Sequence, residues 1–243
     1  MRSLIAALRF LTRLPIPGRD TEAADLPRAV GWFPLVGALV GLATAGAFVL
    51  GLRLWPAPVA AVLAVGFGLM VTGGFHEDGA TDAADGLGGG WTPARVMEIM
   101  KDSRIGAYGA MALWLLLTLR WSSLICLGRR SLIVLPLAMV WGRWSIPVLL
   151  RLLPSVSQGL AKEVHHGTGR GPLLAATALL LLANGAAMAL GQRQLWRPAL
   201  AAVLTLLAWA GYLRRRLGGT SGDLLGACTQ LVEAAVLLTM MAA

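Results

Sequence analysis

The chain has 243 residues, of which 57% are hydrophobic and only 14% are charged, and its mean hydropathy is +0.70. A soluble domain carries charge on about a quarter of its residues, so the composition argues against a water-soluble fold and favours an integral membrane protein. The formal net charge is +9, but the basic residues are scattered and no basic patch with interleaved aromatic residues occurs, which argues against nucleic acid as a partner.

The N-terminal stretch MRSLIAALRFLTRLPIPG predicts an amphipathic helix rather than a cleaved signal. Arg9 and Arg13 interrupt its apolar run, and no small-residue cleavage site follows. Apolar residues recur near helical spacing. Residues 1–14 are therefore expected to form a helix that either lies in the membrane interface or packs on the rest of the protein.

Seven stretches are apolar and long enough to cross a bilayer, which takes about 20 residues in a helix. The sequence therefore predicts an all-α fold, a polytopic membrane bundle of about seven transmembrane helices. Residues 1–243 would form a single membrane-embedded catalytic domain, without an internal repeat. The predicted helices are 29–52, 56–75, 108–128, 131–150, 172–191, 196–213 and 224–242.

The distribution of basic residues predicts the orientation. With the N-terminus inside, fourteen of the 21 Lys and Arg residues fall on inside segments, five on outside segments and two within helices. Basic residues are concentrated in cytoplasmic loops, so we expect a cytoplasmic N-terminus. Three cytoplasmic loops, 76–107, 151–171 and 214–223, would then carry the chemically suggestive residues, and the first of them would be the acidic active-site loop.

The stretch GGFHEDGATDAADGLGGG, residues 73–90, gathers acidic side chains directly after an apolar helix. Asp78, Asp82 and Asp85 are spaced i, i+4 and i+7, which would place them on one face of a helix. Carboxylates on one face repel one another unless a cation lies among them, and magnesium is held by one or two carboxylates together with substrate phosphates. We therefore expect a Mg²⁺ site for a diphosphate substrate, with a solvated acidic loop as the alternative. His76 is a candidate general base, metal ligand or phosphate donor, or else a structural histidine.

Basic residues follow in EIMKDSRIGAYG, residues 98–109. Lys101 and Arg104 are three residues apart and would share one side of a helix. Cations near a carboxylate cluster suit a bound diphosphate, because they hold the oxygens that the metal does not. The alternative is a basic helix end whose side chains extend to the lipid headgroups.

Other polar residues lie in or beside apolar stretches. Asp223 opens the last predicted helix, where an N-cap is the simplest interpretation. Glu233 and Arg143 lie inside apolar helices, where an ionisable side chain is costly, so they are expected to face a polar cavity or to pair with each other as a structural device. His165 and His166 have no third ligand at zinc spacing and suggest a loop that contacts substrate.

Five stretches resemble signatures of the cobalamin synthase, or adenosylcobinamide-GDP ribazoletransferase, family. HEDGATDAADG resembles the H-x-D-G-x-x-D-x-x-D-G signature, and MKDSRIGAYG resembles the second signature. FLTRLPIP, GWFPLVGALVG and GGTSGDLLGA are similar to the N-terminal, first-helix and C-terminal patterns. The chain departs from the family at Gln230, where an acidic residue is frequent.

The resemblance implies a transferase of late cobalamin biosynthesis in the bacterial cytoplasmic (inner) membrane. It would join adenosylcobinamide-GDP to α-ribazole or its 5′-phosphate, form adenosylcobalamin or its 5′-phosphate, and release GMP, with Mg²⁺ as the cofactor. Its partners would be these substrates and the lipid bilayer, with no nucleic acid. A homo-oligomer or an association with other enzymes of the corrinoid pathway stays open.

The resemblance also implies site residues. The expected metal ligands are Asp78, Asp82, Asp85 and the adjacent Glu77. The expected catalytic residues are His76, Asp82, Lys101 and Arg104. The expected substrate-binding residues are Lys101, Ser103, Arg104 and Asp223. On the family pattern, His165 and His166 receive no role.

Two rival classes stay open at this point. A membrane phosphotransferase of the CDP-alcohol type also uses carboxylate-bound metal, but its acids follow the order D-G-x-x-A-R-x(8)-G-x(3)-D-x(3)-D, and no Ala-Arg pair follows Asp78-Gly79 here. A cation or substrate transporter would use the acids as an ion pathway. Such sites lie near the bilayer midplane, often between repeated halves of the chain.

Overall fold

The structure, a computed structural model, describes residues 2–18, 20–157, 164 and 167–242. Within these residues it contains helices and no strand, apart from one isolated bridge between Ser155 and Thr220. The all-α prediction is confirmed. The helices are α1 (Arg2–Leu11), α2 (Leu26–Ala29), α3 (Phe33–Gly51), α4 (Ala57–Thr72), α5 (Phe75–Gly89), α6 (Pro93–Ile99), α7 (Ala107–Leu127), α8 (Ser131–Leu152), α9 (Arg170–Ala189), α10 (Trp196–Arg216) and α11 (Gly222–Met241).

Five helical segments of the described residues are long and apolar enough to cross a membrane, and the bent pair of α4 and α5 would make a sixth. This confirms a polytopic membrane protein. The sequence-based count of seven divides the chain differently, because it treats 56–75 as a complete span and splits the 46-residue segment Ala107–Leu152.

The segment Ala107–Leu152 contains both α7 and α8, and it folds back at Gly128, where φ is +52°. The evidence is that Arg120 of α7 and Arg143 of α8 both contact the carboxylate of Glu233. In one straight helix the α-carbons of these two arginines would lie about 35 Å apart, which is beyond the combined reach of their side chains. α7 and α8 therefore form a helical hairpin.

Glycines bring α3 and α8 into close contact. The sequence GALVG places Gly37 and Gly41 one turn apart on one face of α3. A β-carbon at Gly37 would lie 2.7 Å from the Met139 carbonyl oxygen, and one at Gly41 would lie 2.6 Å from the Pro136 α-carbon. Small residues at this spacing let helix backbones approach in a membrane, where lipid tails supply no hydrophobic drive between helices. α3 and α8 therefore depend on glycine for their packing.

A sharp break separates α4 from α5 and turns the chain by 91°. Gly73 and Gly74 form it, with φ values of +68° and +66°, in the left-handed region that glycine adopts without steric cost. The stretch 76–107, predicted as a loop, is mostly helical, because α5 starts immediately after this turn and α6 follows it. The correction matters because the acidic residues are held on a helix.

Polar contacts near both ends of α5 fix it along α7. Near the start of α5, Glu77 contacts Arg120, well inside α7. Near its end, Asp85 accepts hydrogen bonds from the amides of Gly106 and Gly109, where α7 begins. The two helices therefore run antiparallel, and α11 packs against both of them.

The N-terminal helix α1 packs on the bundle through one face. Ala6, Ala7 and Leu11 are buried, whereas Arg2 at its start is exposed. The Arg9 guanidinium donates to the carbonyl oxygen of Ile16 and so fastens the segment that follows the helix. This agrees with the packed-helix alternative, while a position in the membrane interface stays a prediction.

Candidate active site

Carboxylates of α5 and α11 converge at the end of the bundle where α11 begins. Asp82 lies within electrostatic reach of Asp78, Asp85 and Asp223. Gly79 permits the close approach of the two helices, because a β-carbon there would lie 3.0 Å from the Asp223 α-carbon. In the part of the chain that the structure describes, no Lys or Arg forms a salt bridge with Asp78, Asp82 or Asp223. Among the described residues, the acidic cluster of Asp78, Asp82 and Asp223 therefore concentrates negative charge that no salt bridge balances.

Asp223 is not the helix cap that its position suggests. Ser221 is the N-cap of α11, and its hydroxyl accepts a hydrogen bond from the Leu224 amide. Asp223 lies in the first turn, half-buried and within electrostatic reach of Asp78. No described Lys or Arg forms a salt bridge with it. Its carboxylate is therefore available to a ligand.

Asp85 shares the acidic face of α5 but has partners of its own. Its two carboxylate oxygens accept hydrogen bonds of 2.7 and 2.8 Å from the amides of Gly106 and Gly109, and the side chain is buried. A β-carbon at either glycine would collide with this carboxylate, which accounts for the G-A-Y-G pattern. Asp85 thus satisfies amides at the open N-terminus of α7. The geometry favours this capping role over the metal-ligand role predicted for it.

Glu77 belongs to a buried ion network rather than to the metal site predicted for it. Arg120 contacts Glu77 at 2.6 Å and Glu233 at 2.7 Å, and Arg143 contacts the second oxygen of Glu233 at 2.6 Å. All four side chains are at most 7% exposed. Two acids balance two arginines, so the network is neutral. The pairing of Arg143 with Glu233 is one of the two alternatives that the sequence analysis left open.

Sequence reasoning missed two members of this network, Arg120 and Gln230. The signal for Arg120 was present, because it is an ionisable residue in an apolar helix, as Arg143 is. Gln230 accepts a hydrogen bond from Arg120 at 2.8 Å and donates one to Glu77 at 3.2 Å. An amide at this position supports the network without adding a third negative charge.

His76 lies beside the acidic cluster, as its position in the sequence suggests. It is only 2% exposed, and neither ring nitrogen has a hydrogen-bond partner among the described residues. It lines a cavity of about 240 Å³ together with Asp78 and Asp223. Buried polar groups are nearly always hydrogen-bonded, so the unpartnered imidazole points to a ligand in this cavity.

The second motif lies on the segment between α6 and α7, and Asp85 ties this segment to α5. Arg104 is 87% exposed and contacts Asp102 at 2.6 Å. Its hydrogen bond lowers the pKa of Asp102 to about 2, so Asp102 is charged at physiological pH. Exposed ion pairs of this kind contribute little to stability, so the guanidinium is free to exchange Asp102 for a phosphate. Lys101 and Ser103 are also exposed, whereas the loop residues His165 and His166 lie outside the described residues.

The remaining unpaired acids fit a magnesium ion that is shared with a substrate. Among the described residues, no three His, Cys, Asp or Glu side chains lie close enough to hold a metal ion by themselves. Asp78 and Asp82 lie one turn apart on α5, with Asp223 nearby. Magnesium is usually held by one or two carboxylates plus substrate phosphates rather than by a closed protein cage. The donor set therefore suits Mg²⁺ that arrives with a phosphorylated substrate.

Comparisons with known proteins point to one family. The profile of cobalamin-5-phosphate synthase matches residues 3–241. A protein of Ralstonia nicotianae named adenosylcobinamide-GDP ribazoletransferase is 40% identical, over 99% of this chain and 95% of the relative. Proteins of the same name from Bradyrhizobium diazoefficiens (40% identical, over 100% and 95%) and Shewanella frigidimarina (37%, over 97% and 92%) also match, whereas no solved structure does. The chain belongs to the cobalamin-5-phosphate synthase family.

Proposed function

We propose that this protein is an adenosylcobinamide-GDP ribazoletransferase, which joins adenosylcobinamide-GDP to α-ribazole or its 5′-phosphate and releases GMP. Its family membership and the names of its relatives support this function. The structural observation that carries it is the cluster of Asp78, Asp82 and Asp223, which has no salt bridge to a described Lys or Arg. Beside it lies His76, whose ring nitrogens have no hydrogen-bond partner among the described residues. Transfer from a diphosphate needs a cation on the phosphate oxygens, and this cluster needs a cation to balance it.

The reaction exchanges one phosphorus–oxygen bond for another. A ribose hydroxyl of the acceptor attacks the phosphorus attached to cobinamide, a new P–O bond forms, the anhydride bond to GMP breaks, and the hydroxyl loses its proton. The attacked phosphorus is surrounded by negative oxygens, so positioning and charge neutralisation supply most of the rate enhancement.

Each site residue has a role in this chemistry. Asp78 and Asp82 would hold Mg²⁺, which when bound withdraws charge from the diphosphate oxygens. Lys101 and Arg104 bind oxygens of the departing GMP phosphate, and Ser103 on the same segment donates a hydrogen bond to the substrate. His76 or Asp223 accepts the proton of the attacking hydroxyl.

We further propose that the site opens to the cytoplasm from the bacterial inner membrane. The excess of basic residues on segments at this end of the helices supports that orientation. The first turn of α11, the start of α7 and the second motif all lie at this same end of the bundle. The N-terminus would then be cytoplasmic as well.

The test is a turnover assay on detergent-purified protein with adenosylcobinamide-GDP and α-ribazole, with and without Mg²⁺. We expect magnesium-dependent release of GMP and formation of adenosylcobalamin, both lost in Asp82→Ala. Turnover without a membrane compartment also excludes a transporter, which needs two sides. Folded protein that releases no GMP would refute the function, and a CDP-alcohol pair would be assayed next. Full turnover in Asp82→Ala would leave the function standing and refute the site.

A further inference from the structure

The cavity beside His76 has a small polar side and a larger apolar side. The polar side comprises the His76 imidazole with the carboxylates of Asp78 and Asp223. The lining of the apolar side includes Phe33 and Leu26. Such an amphiphilic cavity suits a ligand that is aromatic at one end and hydroxylated at the other.

The apolar side of the cavity includes a chain of aromatic rings. Phe10 and Phe33 stack with their ring centroids 5.8 Å apart and an angle of 9° between the ring planes. Phe75 meets Phe10 edge to face at 5.1 Å and also meets His76 edge to face at 5.3 Å. These rings come from α1, α3 and α5, and they extend from the apolar side of the cavity to the imidazole. Flat π surfaces of this kind bind planar aromatic groups.

The polar side of the cavity has unused hydrogen-bonding capacity. Both ring nitrogens of the buried His76 lack a partner among the described residues, so the ring can accept one hydrogen bond and donate another. When they are charged, the carboxylates of Asp78 and Asp223 can accept hydrogen bonds but cannot donate them. A ribose hydroxyl is both a donor and an acceptor, so it can satisfy the imidazole and a carboxylate at the same time.

The size of the cavity separates the two substrates. Pockets for drug-sized ligands measure about 300–1,000 Å³, and this cavity measures about 240 Å³. It suits a bicyclic base with its sugar and cannot enclose a corrin macrocycle with its side chains and nucleotide. The corrinoid donor would then lie outside the cavity and present only its diphosphate to the acids.

Resting on the proposed function, we infer that this cavity is the site of the acceptor nucleoside. The planar base lies among Phe10, Phe33 and Leu26, and the ribose lies against His76 with its attacking hydroxyl directed toward Asp78 and Asp223. Phe33 is then a specificity-determining residue for the acceptor, and it has no contact with the corrinoid donor.

The experiment measures each substrate separately in Phe33→Leu and in a matched control, Phe48→Leu. Phe48 is a fully buried phenylalanine of the same helix, and it does not line the cavity. Equilibrium binding of α-ribazole is measured by titration calorimetry without the donor, and KM is measured for both substrates. Loss of an aromatic stacking partner weakens base binding by about tenfold. We expect this change for α-ribazole in Phe33→Leu only, with KM for adenosylcobinamide-GDP unchanged. If Phe33→Leu fails to fold, Leu26→Trp fills the cavity and is expected to abolish α-ribazole binding while donor binding persists.

The outcomes separate this inference from the function on which it rests. Wild-type protein that turns over, with α-ribazole binding equal in Phe33→Leu and Phe48→Leu, overturns the inference and leaves the function intact. An increase in the KM of the donor in place of that of the acceptor also overturns it. Wild-type protein that binds α-ribazole with the expected dependence on Phe33 but releases no GMP refutes the function and leaves the nucleoside site in place.

Discussion

Glu77 and Asp78 are neighbours in the chain, yet the fold gives them opposite surroundings. Glu77 is buried against Arg120 in a network whose charges balance. Asp78 is exposed and faces Asp82 and Asp223, with no salt bridge to any described Lys or Arg. One residue of helical rotation thus separates a carboxylate that holds helices together from one that is available to a ligand.

The comparison shows that local charge balance distinguishes the two kinds of acid. A buried charge without a partner is strongly destabilising, so the membrane-embedded network has partners for every charge. A cluster of like charges on one helix face is also unfavourable. It persists here beside a cavity and a histidine that has no hydrogen-bond partner among the described residues. We therefore expect the network to govern stability and the cluster to govern activity.

The largest effect on activity is expected from Asp82→Asn. The substitution removes one negative charge from the pair, Asp78 and Asp82, that we propose to bind the metal, so the rate of GMP release should fall by at least about a hundredfold. Because it also relieves repulsion from Asp78, the thermal unfolding temperature in detergent should be unchanged or slightly higher. The measurements are GMP release as a function of Mg²⁺ concentration and thermal unfolding of the same preparation.

The control for Asp82→Asn is Asp20→Asn, which removes an equal charge from an exposed residue outside the cluster. It should leave the rate and the magnesium dependence as in the wild type. Full activity of Asp82→Asn, with the same magnesium dependence as Asp20→Asn, would contradict the assignment of Asp82 to the metal.

The largest effect on stability is expected from Arg120→Leu. The substitution leaves Glu77 without its cation and gives the buried network a net negative charge. Breaking a buried pair from one side costs about 3–5 kcal/mol of unfolding free energy. Unfolding in detergent, followed by thermal or denaturant titration, measures the loss.

Two further variants sharpen this prediction. Arg130→Leu removes an exposed arginine whose side chain donates to Gln192, and it should change stability by less than about 0.5 kcal/mol. Adding Glu77→Gln to Arg120→Leu restores neutrality, so the double variant should recover about 1–3 kcal/mol of the loss. Equal stabilities of Arg120→Leu and Arg130→Leu would show that the network does not hold the helices together.

The fold class could be predicted from the sequence because membrane helices can be recognised by their length and hydropathy. Each of the seven predicted segments corresponds to one helix of the structure, namely α3, α4, α7, α8, α9, α10 and α11. The helical nature of 76–107 was missed because its glycines and polar residues lower its hydropathy. The tight turn at Gly73 and Gly74 explains how a polar helix can continue directly from an apolar one.

The site could be predicted only in part. Helical spacing correctly placed Asp78, Asp82 and Asp85 on one side of a helix. Spacing could not show that the carboxylate of Asp85 accepts hydrogen bonds from amides that come more than 20 residues later in the chain. Nor could it show that Glu77 turns toward Arg120, because that contact depends on how α5 packs along α7. Long-range partners decide the role of each carboxylate, and these partners are not visible in a local pattern.

A smaller effect on activity is expected from Asp85→Asn. Asparagine keeps the shape but replaces one acceptor oxygen with a donor, so it can satisfy only one of the amides of Gly106 and Gly109. The segment that carries Lys101 and Arg104 then loosens, and activity should fall by about tenfold, since an unsatisfied buried amide costs about 1–3 kcal/mol. Hydrogen exchange should speed up at the glycine amide that loses its acceptor.

The readout that separates Asp85 from Asp82 is the magnesium dependence. Asp85→Asn should keep the magnesium concentration for half-maximal rate, because both Asp85 oxygens accept hydrogen bonds from amides of the second motif and we assign the metal to Asp78 and Asp82. Thr92→Ala is the matched control, because it removes a cap from the neighbouring helix α6 and should cost stability without a comparable loss of activity. A shifted magnesium requirement in Asp85→Asn would contradict the capping role and would support Asp85 as a metal ligand.

A smaller effect on stability than that of Arg120→Leu is expected from Gly142→Ala, which tests whether the ion network needs close contact between the backbones of α8 and α11. A β-carbon at Gly142 would lie 2.9 Å from the Thr229 carbonyl oxygen, one residue before Arg143 reaches across to Glu233. The helices must separate slightly, so unfolding free energy should fall by about 1–3 kcal/mol. Gly46→Ala is the control, because a β-carbon there meets no atom within 4 Å and alanine raises helix propensity by up to about 1 kcal/mol. Opposite shifts of the unfolding temperature in the two variants would establish that the buried charges depend on a glycine-mediated approach, whereas equal shifts would mean that the arginine side chains absorb the separation.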